Sequence, residues 1–271
     1  MVAWKKLILI GLLILTPISA FAGMELPQTL QDILAETRAS YNRQERPIVI
    51  FDIDGTLFDN RPRILKILHE YADTELREVR PKLAKKIKEL TINQVRYHIT
   101  DTLTHIGVTE PAVVTNAAVF WSERFFSDEY LQYDVPTAGV VEYVRTLYSN
   151  GARIVYLSGR DAPRQLIGTV KSLRDHGLPI GIQSSELIMK PSAQTQDAMF
   201  KQRITTYLRH YGKVVAAFDN EPMNINVYRR AFGQASCVWF GANHRPNSPP
   251  ILPNITSLAS FEKVMVAEPE P

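Results

Sequence analysis

Cysteine is all but missing from this sequence: Cys237 is the only one in 271 residues. One thiol closes no internal disulfide and supplies no Cys-rich zinc site, which excludes a stapled scaffold. Long apolar runs are scarce too. Leu7 to Leu15 spans nine residues, whereas a bilayer-crossing helix needs about 20. No later stretch is apolar enough to span. A surplus of one charge sign is also missing, with 31 Lys+Arg against 28 Asp+Glu and a net charge of +3. Without Lys5 and Lys6, in the N-terminal segment, the balance is 29 to 28. Global charge therefore does not argue for nucleic acid, which is a disfavoured partner. What remains is ordinary for a globular chain, with 45% hydrophobic and 22% charged residues. The length suits one large domain, or a core with a smaller insert.

The N-terminus reads as an address. Met1 to Lys6 is short and basic, Leu7 to Leu15 is apolar, and Ala20-Phe21-Ala22 is a small-x-small site before Gly23. That order is the pattern of a secretory signal over residues 1–22. No cysteine follows, so lipoprotein attachment is excluded. The expectation is an exported, periplasmic or secreted protein with no stable membrane span after cleavage.

Beyond the leader, Leu30, Ile33 and Leu34 predict a leading helix. Ile48-Val49-Ile50-Phe51 is a continuous apolar run closed by Asp52-Ile53-Asp54-Gly55-Thr56, the pattern of a buried strand feeding a loop. Residues 61–133 carry helical patterns and no good strand. Ile92, Val95, Ile99, Leu103 and Ile106 follow helical spacing up to Gly107, and Pro111 opens another helix bearing Trp121, Phe125 and Phe126. After Pro136, helices and strands alternate: helix over 137–149, strand over 153–157, helix over 162–176 and a short strand within 180–188. A helix over 195–211, a strand over 214–218, a helix over 222–232 and a strand over 235–240 follow. Residues 257–266 read as a final helix and 267–271 as a disordered tail. Alternation of this kind predicts an α/β fold, a Rossmann-like parallel sheet with helices on both faces. Its core is 24–60 with 134–266, and a helical cap, 61–133, is inserted after the first strand.

In such sheets, chemistry gathers beyond the carboxyl ends of the strands. Asp52 and Asp54 sit at the first such end. An EF-hand loop starting at Asp52 would need glycine at position six and glutamate at twelve, but Leu57 and Arg63 stand there. A capped structural turn and a nucleophilic aspartate with a partner acid and a divalent cation both remain open. The strand over 153–157 runs into Ser158-Gly159-Arg160, where a hydroxyl and two backbone N–H groups at an expected helix start form an anion site. The strand over 214–218 ends in Asp219-Asn220-Glu221, where an acid can complete an oxygen-rich metal site or simply cap a helix.

Taken in order, these three strand ends resemble the haloacid dehalogenase-like hydrolase superfamily, in its phosphatase branch. Its D-x-D-G-T motif is matched by Asp52-Ile53-Asp54-Gly55-Thr56. Its apolar strand ending in Ser or Thr is matched by Leu157-Ser158-Gly159-Arg160, and its acidic strand end by Phe218-Asp219-Asn220-Glu221. The likeness runs from Ile48 to Phe240. The family's remaining motif is a lysine near the helix before the last of these strands. Lys190 and Lys201 both qualify. Lys201 is favoured, because Asp197, one turn earlier, is placed to hold its ammonium. The run Asp197 to Lys201 resembles the matching stretch of polynucleotide kinase phosphatase domains.

The resemblance implies a phosphoric monoester hydrolase with a small-molecule phosphoester substrate. Asp52 would be the nucleophile and Asp54 the acid and base. Thr56, Ser158, Gly159, Arg160 and Lys201 would bind phosphate. Mg²⁺ would be held by Asp52, the backbone carbonyl of Asp54, and Asp219. Glu221 stands where many members carry a second aspartate, which leaves its role open. Alternatives are a nucleotide or polynucleotide-end phosphatase, and a binding protein of the cell envelope that kept the fold without turnover. The inserted segment would act as a lid. Residues 61–96 hold ten Lys+Arg against five Asp+Glu, which could steer an anionic substrate. Neither substrate nor oligomeric state is written in the motifs.

Export carries a direct test. Intact-mass measurement of protein from the cell envelope should find Gly23 as the N-terminal residue. A species keeping Met1 in the membrane fraction would make the segment an anchor instead.

Overall fold

The computed structural model describes residues 24–241 and 243–265. The leader 1–22, the cleavage point before Gly23 and the tail 267–271 lie outside the described residues. The elements begin with β1 (Met24–Glu25), α1 (Gln28–Asn42), β2 (Pro47–Phe51) and β3 (Phe58–Asp59). The cap holds α2 (Arg61–Tyr71), a π-helical turn (Ala72–Leu76), α3 (Pro81–Lys88), α4 (Ile99–His105) and α5 (Pro111–Phe125). The core resumes with β4 (Val135–Pro136), α6 (Val140–Ser149), β5 (Arg153–Asp161) and α7 (Ala162–Asp175). It continues through β6 (Ser185–Lys190), α8 (Asp197–Tyr211), β7 (Lys213–Asp219) and α9 (Pro222–Ala231). It closes with β8 (Ser236–Trp239), β9 (Ile255–Ser257) and β10 (Val264–Met265).

The main sheet has six strands in the order β6-β5-β2-β7-β8-β9, every neighbouring pair parallel. β2 is central, and all five of its residues are buried. A strand alternates its side chains between faces, and β2 supplies apolar residues to both. Val49 and Phe51 pack with Leu30 and Ile33 of α1 and with Val140, Tyr143 and Leu147 of α6. Ile48 and Ile50 pack on the opposite face with Phe200 and Leu208 of α8 and with Ile225 and Tyr228 of α9. Each such buried side chain contributes about 1.5–3 kcal/mol over leaving it exposed. The result is the expected α/β, Rossmann-like sheet sandwiched by helices.

The cap builds its own apolar cluster, including Ile64, Leu68, Ile87, Leu103 and Ala117. Its two connections run side by side, since β3 and β4 pair antiparallel through Phe58–Pro136 and Asp59–Val135. Among the described residues, no helix is long and apolar enough to cross a membrane.

Two sequence expectations are corrected. The helix expected across Ile92–Ile106 is broken: a 3₁₀ turn at Ile92–Gln94 is followed by an irregular stretch before α4. Thr102 causes part of the break, because its hydroxyl accepts the Arg96 N–H at 2.9 Å and so offers that backbone group a non-helical partner. The final helix expected over 257–266 does not form among the described residues: Ser257 ends one strand, 258–263 is irregular and Val264–Met265 is a second, short strand. Ile255–Ser257 adds to the sheet edge beside β8, and Val264–Met265 pairs with Met24–Glu25. Phe261 is fully buried, with Leu258 partly buried against the same core, and the Phe261 N–H donates to Ala138 O at 2.9 Å.

Cys237 lies in β8 at 2% exposure. Burial pushes its thiol up to about 11. Because the thiolate is the reactive form, iodoacetamide at pH 8 should leave the folded protein unmodified and label one thiol per chain in denaturant. Rapid labelling of the native protein would contradict a buried β8.

Candidate active site

Parallel strands deliver their carboxyl ends to one edge of the sheet. β2 brings Asp52 and Asp54 there, β5 brings Ser158 to Asp161, and β7 brings Asp219. The Asp52 N–H donates to Phe218 O at 2.9 Å, continuing the β2–β7 ladder to the site. Gly55 adopts φ +77°, and a Cβ there would lie 2.4 Å from Asn220 Nδ2. Only glycine fits both the left-handed backbone and this close approach.

Lys201 of α8 reaches the same point and is fully enclosed. Its Nζ donates to Asp52 Oδ1 at 2.5 Å and to Asp219 Oδ2 at 2.7 Å. The other Asp219 oxygen accepts the Glu221 N–H at 2.9 Å and Asn224 Nδ2 at 3.2 Å. Burial pushes Asp52 well up, against the pull of Lys201. Burial disfavours the Lys201 charge, but Asp219 and Asp52 outweigh it and hold the ammonium protonated. Lys190, the other candidate, is bound elsewhere: its Nζ donates to Asp197 Oδ1 at 2.6 Å. Asp197 therefore holds Lys190, not Lys201 as its spacing had suggested. It also leans over the second motif, since a Cβ on Gly159 would meet its Oδ2 at 2.8 Å.

Asp54 has partners that sequence reasoning missed. Arg160 grips it with two bonds, Nε to Oδ2 at 2.8 Å and Nη2 to Oδ1 at 2.9 Å. Arg63, from the first cap helix, adds Nη2 to Oδ1 at 2.6 Å. Both arginines also bind Asp134, where the chain re-enters the core, at 2.7 Å from Arg160 and 3.0 Å from Arg63. The Arg63 guanidinium further donates to Phe125 O at 2.9 Å and lies 3.9 Å from the centre of the Phe125 ring. Burial alone would raise Asp54, yet Arg160 and Arg63 hold its carboxyl well below the usual range. Burial pushes Asp134 up to about 6 against the pull of the same two arginines. The only sequence signal for Arg63 and Asp134 was their position at the two ends of the insert.

The other expected residues fall as follows. Ser158 is fully buried, and its Oγ accepts the Arg160 N–H at 3.1 Å. The helix after it begins at Ala162, not at Gly159. The Arg160 backbone N–H is thus already engaged, and its guanidinium is committed to two carboxylates. Thr56 is fully buried, with no hydrogen-bond partner for its hydroxyl among the described residues. The Glu221 carboxylate accepts the Arg245 N–H, at 3.3 Å to each oxygen. Much of the cap's basic surplus is spent locally, as Lys66 pairs with Glu70, Arg80 with Glu110, Lys85 with Glu89 and Lys88 with Asp73.

The donor chemistry fits a small divalent cation. Four acidic side chains (Asp52, Asp54, Asp134, Asp219) face three basic ones (Lys201, Arg63, Arg160), so oxygen ligands outnumber the cations set among them. Among the described residues no hydrogen-bond donor reaches Asp52 Oδ2, and no group of three or more His, Cys, Asp or Glu forms a metal cage. Two carboxylates with a backbone carbonyl suit Mg²⁺, which keeps several waters rather than a full set of protein ligands.

No protein-family model matches the chain, and no curated protein matches it. Solved structures do show a similar course of chain. A haloacid dehalogenase superfamily hydrolase from Geobacter sulfurreducens is 15% identical, with 79% of this chain and 92% of that chain covered and a TM-score of 0.47. A haloacid dehalogenase-like family hydrolase from Streptococcus pneumoniae is 9% identical, with 74% and 89% covered and a TM-score of 0.46. A superfamily hydrolase from Ehrlichia chaffeensis is 13% identical, with 79% and 91% covered and a TM-score of 0.46. Likenesses this distant identify no activity and no substrate for this chain.

Lys201→Met should be the costliest single change at this edge. It leaves two buried carboxylates facing each other without their cation, a loss of about 3–5 kcal/mol at neutral pH. One of the two then titrates above its unfolded value, so the variant should regain stability as pH falls. Denaturant unfolding from pH 5 to pH 8 measures both effects. A flat profile at wild-type stability would remove Lys201 from the site.

Proposed function

We propose that the chain is an exported phosphatase that hydrolyses a phosphomonoester through an aspartyl-phosphate on Asp52. The observation that carries this reading is the buried Lys201 ammonium shared by Asp52 and Asp219 at the end of β2, beside Ser158. A carboxylate in that setting is oriented by its neighbours and kept from bulk water.

The chain's own groups account for both steps. An Asp52 carboxylate oxygen attacks phosphorus, a new P–O bond forms and the bond to the leaving oxygen breaks. The departing oxygen takes its proton from the Asp54 carboxyl, which is left as a carboxylate. Water then attacks the phosphorus of the acyl phosphate, Asp54 accepts its proton, and Asp52 is released as a carboxylate with inorganic phosphate. Lys201 and the Ser158 hydroxyl offset charge on the phosphoryl oxygens. The arginine pair keeps Asp54 ready as a base. Its service as an acid requires one arginine to let go, and the incoming phosphate dianion supplies a competing partner for that guanidinium. Asp52 and Asp219, with the backbone carbonyl of Asp54, would hold Mg²⁺, which supplies charge neutralisation for the transferring group.

Substitution at the two aspartates tests the mechanism. Asp52→Asn keeps size and shape but removes the anionic nucleophile, so turnover should fall to the no-enzyme level with the fold intact by circular dichroism. Asp54→Asn should give a burst and then slow turnover with an aryl phosphate, whose leaving group needs little protonation, and almost nothing with an alkyl phosphate. Wild-type Mg²⁺-dependent activity in Asp52→Asn would falsify the covalent route. A wild-type protein that binds phosphate but hydrolyses no ester would be a binding protein.

A further inference from the structure

Besides the reaction centre, the cap and core form an open cleft of about 520 Å³, within the size range of small-molecule sites. One wall is the cap segment Val95, Arg96, Tyr97 and His105, and the other is the core loop with Asn243 and His244. The loop wall is tied to the reaction centre. Asn220, the residue after Asp219, donates through Nδ2 to Asn243 O, and that same Nδ2 lies against Gly55. Trp239 Nε1 donates to Asn220 O at 2.8 Å, and its ring meets the His244 ring edge-on at 5.2 Å. Asn220 therefore links the cleft wall to the Gly55 turn that follows Asp54.

The cleft is furnished for an anion. Among the described residues no carboxylate lies within ion-pair distance of Arg96, unlike most of the cap's other cations. Its Nη2 lies 3.2 Å from His105 Nε2, and its other contact is a long one, 3.4 Å to Asn93 O. His105 and His244 flank it. Asp101 is the one carboxylate on the lining, and nearby Glu221 is engaged by the Arg245 N–H. A guanidinium fork with free donors, opening into a cleft beside a phosphate-handling centre, matches a second phosphate or carboxylate.

We infer that this cleft is a subsite for an anionic group carried on the leaving part of the substrate, with Arg96 as its principal donor. The inference rests on the phosphatase reading and narrows it to esters with two anionic ends, a phosphate to be cleaved and a second phosphate or carboxylate to be held. Arg96 is then a specificity-determining residue that takes no part in the bond change.

The test uses α,ω-alkanediol bisphosphates of graded chain length, the matching ω-carboxyalkyl phosphates, and the plain alkyl phosphates. One length class should show KM lowered by about tenfold or more against the plain ester, the scale of a charge-assisted hydrogen bond. Arg96→Gln should erase that gain without changing kcat/KM on the plain ester, and Arg96→Lys should restore part of it. Arg145→Gln, at an exposed position of α6 that does not line the cleft, should change nothing. Whichever arm shows the Arg96-dependent gain names the second anion. A gain at no chain length, or one that survives Arg96→Gln, overturns the subsite while leaving the phosphatase reading intact. Non-hydrolysable alkane bisphosphonates, titrated calorimetrically, separate the two ideas. Arg96-dependent binding without hydrolysis of any ester keeps the subsite and removes the phosphatase.

Discussion

One ammonium group organises the candidate site. Lys201 belongs to α8, yet its Nζ ends between carboxylates at the tips of two adjacent strands, β2 and β7. Two carboxylates that close and that buried repel each other strongly, so the strand ends share an edge only because a cation stands between them. The same contact fixes how α8 lies on the sheet, with Phe200 and Leu208 packed against Ile48 and Ile50. Packing and charge thus impose one geometry. The helix cannot shift without uncovering the pair, and the pair cannot part without exposing the helix's apolar face.

A second charged assembly sits where cap meets core. Arg63 from the cap, Arg160 from the sheet edge and Asp134 from the returning chain all converge on or beside Asp54. The two assemblies treat their carboxylates differently. Burial dominates at Asp52, while paired guanidiniums dominate at Asp54. Neighbouring carboxylates in contrasting surroundings are how one site separates a nucleophile from a proton carrier.

Much of this was legible from the chain, because it is written locally. An apolar run followed by Asp52-Ile53-Asp54-Gly55 announces a strand, its end and its turn within a few residues. The Ser158 and Asp219 strand ends are equally local, and the alternation after Pro136 set out the sheet. What was hidden depends on residues far apart in sequence. Nothing about Arg63 or Asp134 marks them as partners of Asp54 until the cap folds back. Asp197 had correct helical spacing for Lys201, but Lys190, at the end of β6, took it first. The terminal segment had apolar residues at helical intervals, yet Met24–Glu25 offered the backbone of Val264–Met265 a partner. Local pattern lost there to available hydrogen bonds.

The narrow neck formed by β3 and β4 has a bearing on how such a protein diversifies. Chain leaves the core at Phe58–Asp59 and returns at Val135–Pro136 as adjacent paired strands. Paired antiparallel strands keep their Cα atoms roughly 5 Å apart. The two covalent connections of the insert therefore lie side by side, and the main sheet is continuous without it. A recombination event could exchange the insert for another of any size and leave both cut ends where they were. The restriction lies just inside the neck: a replacement would have to bring its own cation to the place of Arg63, or strand the acids at 54 and 134 with Arg160 as their only counterion. Inheritance at that position, together with the contact between Asp128 and the Gly168 N–H of α7, limits which grafts this scaffold can accept.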